Sequence, residues 1–211
     1  CPGCDSRYVN PAPKDEVLDL FYRDSPSTRY WANVFFPAVA EARREQIFRP
    51  RAQKISALLT GSEKRVLDVG AGYGLFLEEV RDLESNFVVR AVEPGTDLAA
   101  ICRTKKIDTF EGFAGTAAAD PEWGGWADLV TSFEVIEHVV DVVGFIDSMA
   151  ALARPGGLIL VTGLCGTGFD IEALGVKSNA VSPPHHLNFL SSAGVTALAA
   201  RAGLDLVDFS T

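Results

Sequence analysis

The sequence predicts an α/β fold, a doubly wound and mostly parallel sheet with helices on both faces and a helical cap in front of it. Three observations carry this expectation. From residue 61 onward, strand-like and helix-like patterns alternate, the order that produces a mostly parallel sheet covered on both sides. An apolar strand runs directly into a glycine-rich turn and then a helix. The 211 residues, 47% apolar and 22% charged, suffice to bury one ordinary domain and give no reason for a second.

Each element follows in order. Residues 1–13, CPGCDSRYVNPAP, contain three prolines and read as a turn-rich knuckle with an extended arm. Residues 14–60 read as a helical cap. Val17, Leu18 and Phe21 form one apolar face, and Ile47, Ile55, Leu58 and Leu59 form another. Pro37 and Pro50 are expected to break this run into two or three helices, and Gly61 and Ser62 to stop it. In the third unit, residues 61–211, strands are expected over 65–69, 87–93, 108–110, 129–133, 158–162 and 204–209. Helices are expected over 75–83, 97–104, 142–152 and 192–202. The run 117–119 is too short to count as low complexity. The chain starts on Cys1 and residues 206–211 read as a strand that stops without a turn, so both ends are expected to be trimmed.

Charge and cysteine content narrow the function classes. The net charge of −9 argues against a surface built to grip nucleic acid, because phosphate binding relies on clustered Lys and Arg. Residues 1–65 hold 11 Lys and Arg against 8 Asp and Glu, and the remainder hold 8 against 20, so an acidic body carries a mildly basic leader. No apolar run approaches the roughly 18 residues of a membrane span, and a soluble, cytoplasmic protein is expected. Cys1 and Cys4 form a C-x-x-C pair, half of the four-ligand set of a structural zinc ion. Cys102 and Cys165 read as small packed hydrophobes.

The strongest motif is Val66-Leu-Asp-Val-Gly-Ala-Gly-Tyr-Gly74. Gly70, Gly72 and Gly74 permit positive φ and remove the Cβ atoms that would collide with a ligand, and the helix that follows presents free N–H groups. A dinucleotide fingerprint reads G-x-G-x-x-G, whereas position 75 is Leu and the spacing is G-x-G-x-G. Asp68, inside the strand, suits a cationic ligand, directly or by fixing the loop through backbone N–H groups. S-adenosylmethionine is such a ligand, cationic at sulfur and at its amino group. Glu93, in Ala91-Val-Glu-Pro-Gly95, ends the next strand, where a carboxylate can accept both ribose hydroxyls in charge-assisted hydrogen bonds.

Taken together, Asp68 to Gly74, Glu93-Pro94, Phe133-Glu-Val-Ile-Glu-His138 and Arg154-Pro-Gly-Gly157 resemble, in order, the motifs of the class I S-adenosylmethionine-dependent methyltransferases. The resemblance covers about residues 60–211 and implies a Rossmann-like sheet with the cofactor across the carboxyl ends of its first strands. The implied cofactor-binding residues are Asp68, Gly70, Ala71, Gly72, Tyr73, Gly74, Glu93, Pro94, Phe133, Glu134 and Val135, with Glu111 to Phe113 bordering the adenine. The family adds a seventh, antiparallel strand, before which this sequence stops. The leader is similar to that of bacterial members in which an earlier C-x-x-C completes a zinc knuckle, and that earlier pair is missing here. Pro183-Pro-His-His-Leu-Asn-Phe189 resembles the loop that faces cofactor and acceptor.

Methyl transfer from a sulfonium mainly requires holding donor and acceptor at near-attack distance, with a base where a hydroxyl or acidic carbon must lose a proton. His138 and His186 are the candidate bases, and His185 joins Tyr30, Arg43 and Arg49 as candidate acceptor-binding residues. Tyr30 and Trp31 could close over the pocket as a lid, although aromatic residues on a helix are usually core, the reading also given to Trp123 and Trp126. The Arg43, Arg44, Arg49 and Arg51 cluster reads as a solvated helix face or as a grip on an anionic acceptor, such as a nucleotide sugar. The E-x-x-E-H pattern is similar to small-RNA and quinone-precursor O-methyltransferases that bind a divalent metal, here through Glu134, Glu137, His138 and His186. The blander reading, in which Glu137 braces the loop and His138 packs beside the cofactor, is preferred. The expected activity is methylation of a small molecule or saccharide precursor. A non-catalytic binding module is disfavoured by the intact glycine loop with Glu93, and a nicotinamide oxidoreductase by Leu75.

Overall fold

The computed structural model describes residues 1–23, 25–62 and 64–210. Thr211, the last residue of the expected terminal strand, lies outside the described residues. After β1 (Arg7–Tyr8) come α1 (Asp15–Arg23) and α2, one helical rod over residues 26–56. The alternating unit is β2 (Lys64–Val69), α3 (Leu75–Leu83), β3 (Phe87–Glu93), α4 (Thr96–Thr104), β4 (Asp108–Glu111), α5 (Ala114–Ala119), β5 (Ala127–Phe133), α6 (Val142–Leu152) and β6 (Ala153–Thr162). The short α7 (Phe169–Leu174), β7 (Asn188–Phe189) and α8 (Ser192–Arg201) follow.

The five central strands are all parallel, in the order β4-β3-β2-β5-β6. From β2 the chain winds outward through β3 and β4, then returns to the other side of β2 through β5 and β6. The order therefore reverses between β2 and β5, and the carboxyl ends of the strands at such a switch point leave a crevice for ligands. One face of the sheet is covered by Ala52 and Ile55 of α2, Phe76, Leu77 and Val80 of α3, and Cys102 of α4. The other is covered by Ala114 and Ala117 of α5 and by Phe145, Ile146, Met149 and Leu152 of α6. Along β2, Val66 packs into the first layer and Leu67 and Val69 into the second, the period-2 alternation of a strand buried on both sides. The expected core roles hold for Cys102 and for Trp123, which is buried edge-on to Phe110.

Two expectations are corrected. Pro37 and Pro50 do not break the cap. Each proline lacks an N–H and crowds the carbonyl four residues back, and the turn before each widens to π geometry, over Trp31–Phe35 and Arg44–Phe48. There the Phe36 and Arg49 N–H groups reach the carbonyls of Trp31 and Arg44, so the rod passes both prolines intact. Residues 204–209 do not form a strand. They pair with neither edge strand of the sheet, β4 or β6, and Leu206, Val207 and Phe209 are exposed; an alternating pattern alone does not make a strand without a cross-strand partner.

The cap is fastened to the sheet by ion pairs. Glu79 on α3, nearly buried, accepts Arg44 Nη1 and Arg49 Nε, both at 2.8 Å, while Arg44 Nη2 reaches Glu78 at 2.7 Å. Glu79→Ala leaves two guanidinium groups without their shared carboxylate. It is expected to lower stability by about 1–3 kcal/mol, read as an earlier denaturant midpoint, and an unchanged midpoint would show that these pairs do not fasten the cap.

The leader is attached elsewhere. β1 pairs antiparallel with β7, Arg7 opposite Phe189 and Tyr8 opposite Asn188, and Val9 N–H donates to Leu187 O at 2.8 Å. Buried Ser6 accepts the Ser191 N–H at 3.1 Å. Residues 1–9 therefore hold the segment directly after His185 and His186.

Candidate active site

At the crevice, β2 ends on Val69 and the chain turns through Gly70, Gly72 and Gly74, with φ of 75°, 55° and 69°. A Cβ on Gly70 would stand 2.5 Å from Val135 Cγ2, so a side chain there is excluded by both conformation and space. Glu93, 5% exposed, turns back from the end of β3. Its Oε2 accepts the Gly72 N–H at 2.7 Å and its Oε1 the Gly95 N–H at 2.8 Å. One carboxylate thus fixes the glycine loop and the turn after β3, and each oxygen keeps a second lone pair. Burial pushes this carboxyl up to about 7, against the pull of the Gly95 and Gly72 N–H groups. Asp68 does not bond the loop backbone as one sequence reading allowed; it accepts the Thr131 hydroxyl at 2.7 Å. Burial pushes it up to about 7 as well, opposed by Thr131 and reinforced by the Glu93 charge.

The cap helix α2 forms the roof. Phe36 stacks on Tyr73 with ring centroids 5.8 Å apart and lies 3.5 Å from where a Gly72 Cβ would be. The Arg51 guanidinium sits 4.7 Å above the Phe133 ring, and its charge acts on Asp68. Arg43 Nε is buried without a partner; burial, and then the nearby Arg51, hold this guanidinium below its ordinary value, against the attraction of Glu134. A cavity of about 310 Å³ opens beside the Glu93 turn, lined by Arg23, Thr28, Arg29, Thr96 and Asp97. Pro94, half-buried, lies within that turn.

Past β5 the chain enters a strained turn. Glu134 has a φ of 56°, uncommon for a residue with a side chain, and its Oε1 accepts the Thr162 hydroxyl at 2.7 Å. Three residues on, Glu137 is 2% exposed and its carbonyl accepts the Leu187 N–H at 2.6 Å, which docks the second histidine segment onto the first. His138 Nδ1 lies 2.7 Å from the His185 carbonyl, and His186 Nδ1 lies 2.6 Å from the Ala180 carbonyl. A carbonyl only accepts, so in both rings Nδ1 carries a proton. The two rings are 4.9 Å apart. Burial above all holds His138 down at about 4, so it is neutral at pH 7. Against this wall stand Phe21 and Tyr22 of α1, with Phe21 5.1 Å from His185 and Tyr22 6.2 Å from His138.

Comparison with known proteins decides the family. Residues 40–208 match the family described as a methyltransferase domain. The chain belongs to the class I S-adenosylmethionine-dependent methyltransferases. It is 31% identical over 173 residues, 76% of this chain and 70% of the relative, to the ubiquinone biosynthesis O-methyltransferase of Xanthomonas axonopodis pv. citri. Among solved structures, a SAM-dependent methyltransferase from Thermotoga maritima has the same fold, with a TM-score of 0.60 and 20% identity over 84% of this chain and 82% of that one. Phosphoethanolamine N-methyltransferase 2 of Haemonchus contortus, solved with S-adenosyl-L-methionine, has a TM-score of 0.60 at 18% identity, covering 73% of this chain and 36% of that one.

The residues of the methyltransferase fit its cofactor. A buried carboxylate with free lone pairs ends β3 beside the glycine loop, the loop has no Cβ to obstruct a close approach, and Asp68 and Glu93 together supply acidic groups of the kind a cationic, hydroxyl-bearing ligand needs. Ribose hydroxyls and a sulfonium nucleoside both favour ionised carboxylates, so binding should draw Asp68 and Glu93 down from about 7. Protons are therefore expected to be released on binding near pH 7, and affinity to rise as pH increases through that value. Calorimetric titration in buffers of different ionisation enthalpy reads this directly, and proton uptake would contradict it.

The other candidate residues divide. Arg49 is engaged by Glu79, and Tyr30 is 53% exposed on the cap. Arg43 and His185 do lie at the crevice and the histidine wall respectively. Among the described residues no three His, Cys, Asp or Glu side chains come together in a group that could hold a metal ion. Glu134, Glu137, His138 and His186 thus do not fit a metal in this conformation, and Cys1 and Cys4 gain no further ligand; Cys4 Sγ instead bonds Ser6 Oγ at 3.4 Å. No helix among the described residues is long and apolar enough to cross a membrane. Sequence reasoning missed Thr131, the place of Tyr22 and the β1–β7 pairing, and it grouped Arg51 with the basic cluster without placing it over Phe133.

Proposed function

We propose that this methyltransferase methylates a hydroxyl group of a small molecule, in the class of ring-bearing or sugar-linked biosynthetic precursors. The observation that carries this reading is the pair of imidazoles, His138 and His186, each oriented by an Nδ1–H bond to a carbonyl, with the Nε2 of neutral His138 able to accept a proton. A hydroxyl acceptor must lose a proton during transfer, and a neutral, oriented imidazole takes it. The names of the relatives at about 30% identity, ubiquinone biosynthesis O-methyltransferases, support an oxygen acceptor on a small molecule.

Bound S-adenosylmethionine supplies an electrophilic methyl group: the acceptor O–CH3 bond forms as the S–CH3 bond breaks, and the sulfonium leaves as a neutral thioether. In this reading Glu93 accepts the ribose hydroxyls. Arg43 and Arg51, beside the crevice carboxylates Glu134 and Asp68, receive the carboxylate of the methionine moiety. His138 Nε2 takes the hydroxyl proton, with His186 beside it. Release of S-adenosylhomocysteine should be measured against matched acceptors bearing a hydroxyl, an amine or an acidic carbon. Release with the hydroxyl series is expected, and release confined to the amine series would overturn the reading.

A further inference from the structure

Two of the buried polar atoms without a hydrogen-bond partner among the described residues lie in the same part of the molecule, Tyr22 Oη and Glu137 Oε2. Tyr22 comes from α1 and Glu137 from the turn after β5, and the histidine wall connects them: Tyr22 stands 6.2 Å from the His138 ring, which follows Glu137 in the chain. Phe21, next to Tyr22, lies edge-on to His185 at 5.1 Å. Native proteins rarely leave such atoms unpaired in their interiors, and an orphan donor and an orphan acceptor beside candidate catalytic groups mark where a ligand completes the bonding. Burial, and then the charge of Glu137, push the Tyr22 phenol up to about 12, so it remains a hydrogen-bond donor at working pH.

The complementary ligand follows from these groups. It must accept a hydrogen bond from Tyr22 and give one to an imidazole Nε2 or a carboxylate. An ammonium cannot accept, and a carboxylate cannot donate. A hydroxyl does both, as an uncharged amine does; the hydroxyl is the one that the O-methyltransferase relatives favour, and the surrounding rings of Phe21, His138, His185 and His186 suit a flat carrier. We propose that Tyr22 is an acceptor-binding residue of this enzyme. Its phenol O–H holds the hydroxyl oxygen that takes the methyl group, that hydroxyl points its own hydrogen at His138 Nε2, and a second donor on the acceptor satisfies Glu137 Oε2. This rests on the hydroxyl-acceptor reading above and adds a residue from the cap to the site.

The test uses the full chain saturated with S-adenosylhomocysteine and 4-nitrocatechol as probe, whose colour reports both binding and ionisation. Tyr22→Phe removes a single O–H. It is expected to weaken probe binding by about 3- to 10-fold, the range of one neutral hydrogen bond, and to leave S-adenosylhomocysteine affinity unchanged. Because Tyr22 Oη has no partner among the described residues, the variant should unfold at the same temperature as the wild type or higher. A lowered unfolding temperature with unchanged probe affinity would assign Tyr22 a structural role and overturn the proposal. Equal probe binding by both proteins, or none by the wild type, would also overturn it while leaving methyl transfer intact. Failure of the wild type to bind S-adenosylhomocysteine would instead strike the functional reading itself.

Discussion

Glu93→Ala is expected to reduce cofactor affinity by about 100-fold or more. The change removes the proposed acceptor of two ribose hydroxyl bonds, and charge-assisted bonds contribute about 1.5–3 kcal/mol each. It also releases the Gly72 and Gly95 N–H groups that the two carboxylate oxygens hold at 2.7 and 2.8 Å, so the glycine loop loses its brace. Glu93→Gln separates the two effects. A carboxamide has one oxygen, and its nitrogen must face one of the two N–H donors, so the variant cannot satisfy both loops. It should fold and bind weakly, between wild type and Glu93→Ala. Titration calorimetry with S-adenosylmethionine measures all three, and equal affinities would remove Glu93 from the site.

His138→Ala is expected to lower kcat by about 10²- to 10⁴-fold, the usual contribution of a positioned general base, with cofactor affinity retained. His138 is neutral well below pH 7 because burial holds it at about 4. The acid limb of kcat/KM for the cofactor should therefore follow Asp68 and Glu93 near pH 7 and should persist in His138→Ala. Loss of that limb in the variant, measured as S-adenosylhomocysteine release with a hydroxyl acceptor across pH, would reassign it to the imidazole.

The sheet and the cofactor loop were legible because local rules determine them. Five of the six expected strands lie in the sheet, since a parallel strand buried on both faces needs an apolar run and little else. The glycine loop and Glu93 were legible for a related reason: positive φ and close approach restrict Gly70, Gly72 and Gly74, and a carboxylate at a strand end is conspicuous. What escaped the sequence depends on partners distant in the chain. The π turns before Pro37 and Pro50 preserve a helix that the prolines alone would end. Arg44, Arg49 and Glu79 form one ion-paired cluster, but nothing in the basic run of the cap names its acidic partner 30 or more residues on. The terminal pattern at 204–209 satisfied the strand rule, but the segment does not pair with the open edge of β6 or β4. Tyr22 is the sharpest case. On the sequence it is one aromatic residue among several in a helical cap, and only the fold brings it to Glu137 and His138.

The most direct measurement is a pair of calorimetric titrations of the intact protein, one with S-adenosylmethionine and one with NAD, each in two buffers near pH 7. Saturable binding of S-adenosylmethionine with proton release, and no heat from NAD, is the expected result. Binding of NAD, or no binding of S-adenosylmethionine, would contradict the assignment of the crevice between the glycine loop and Glu93 to a sulfonium nucleoside.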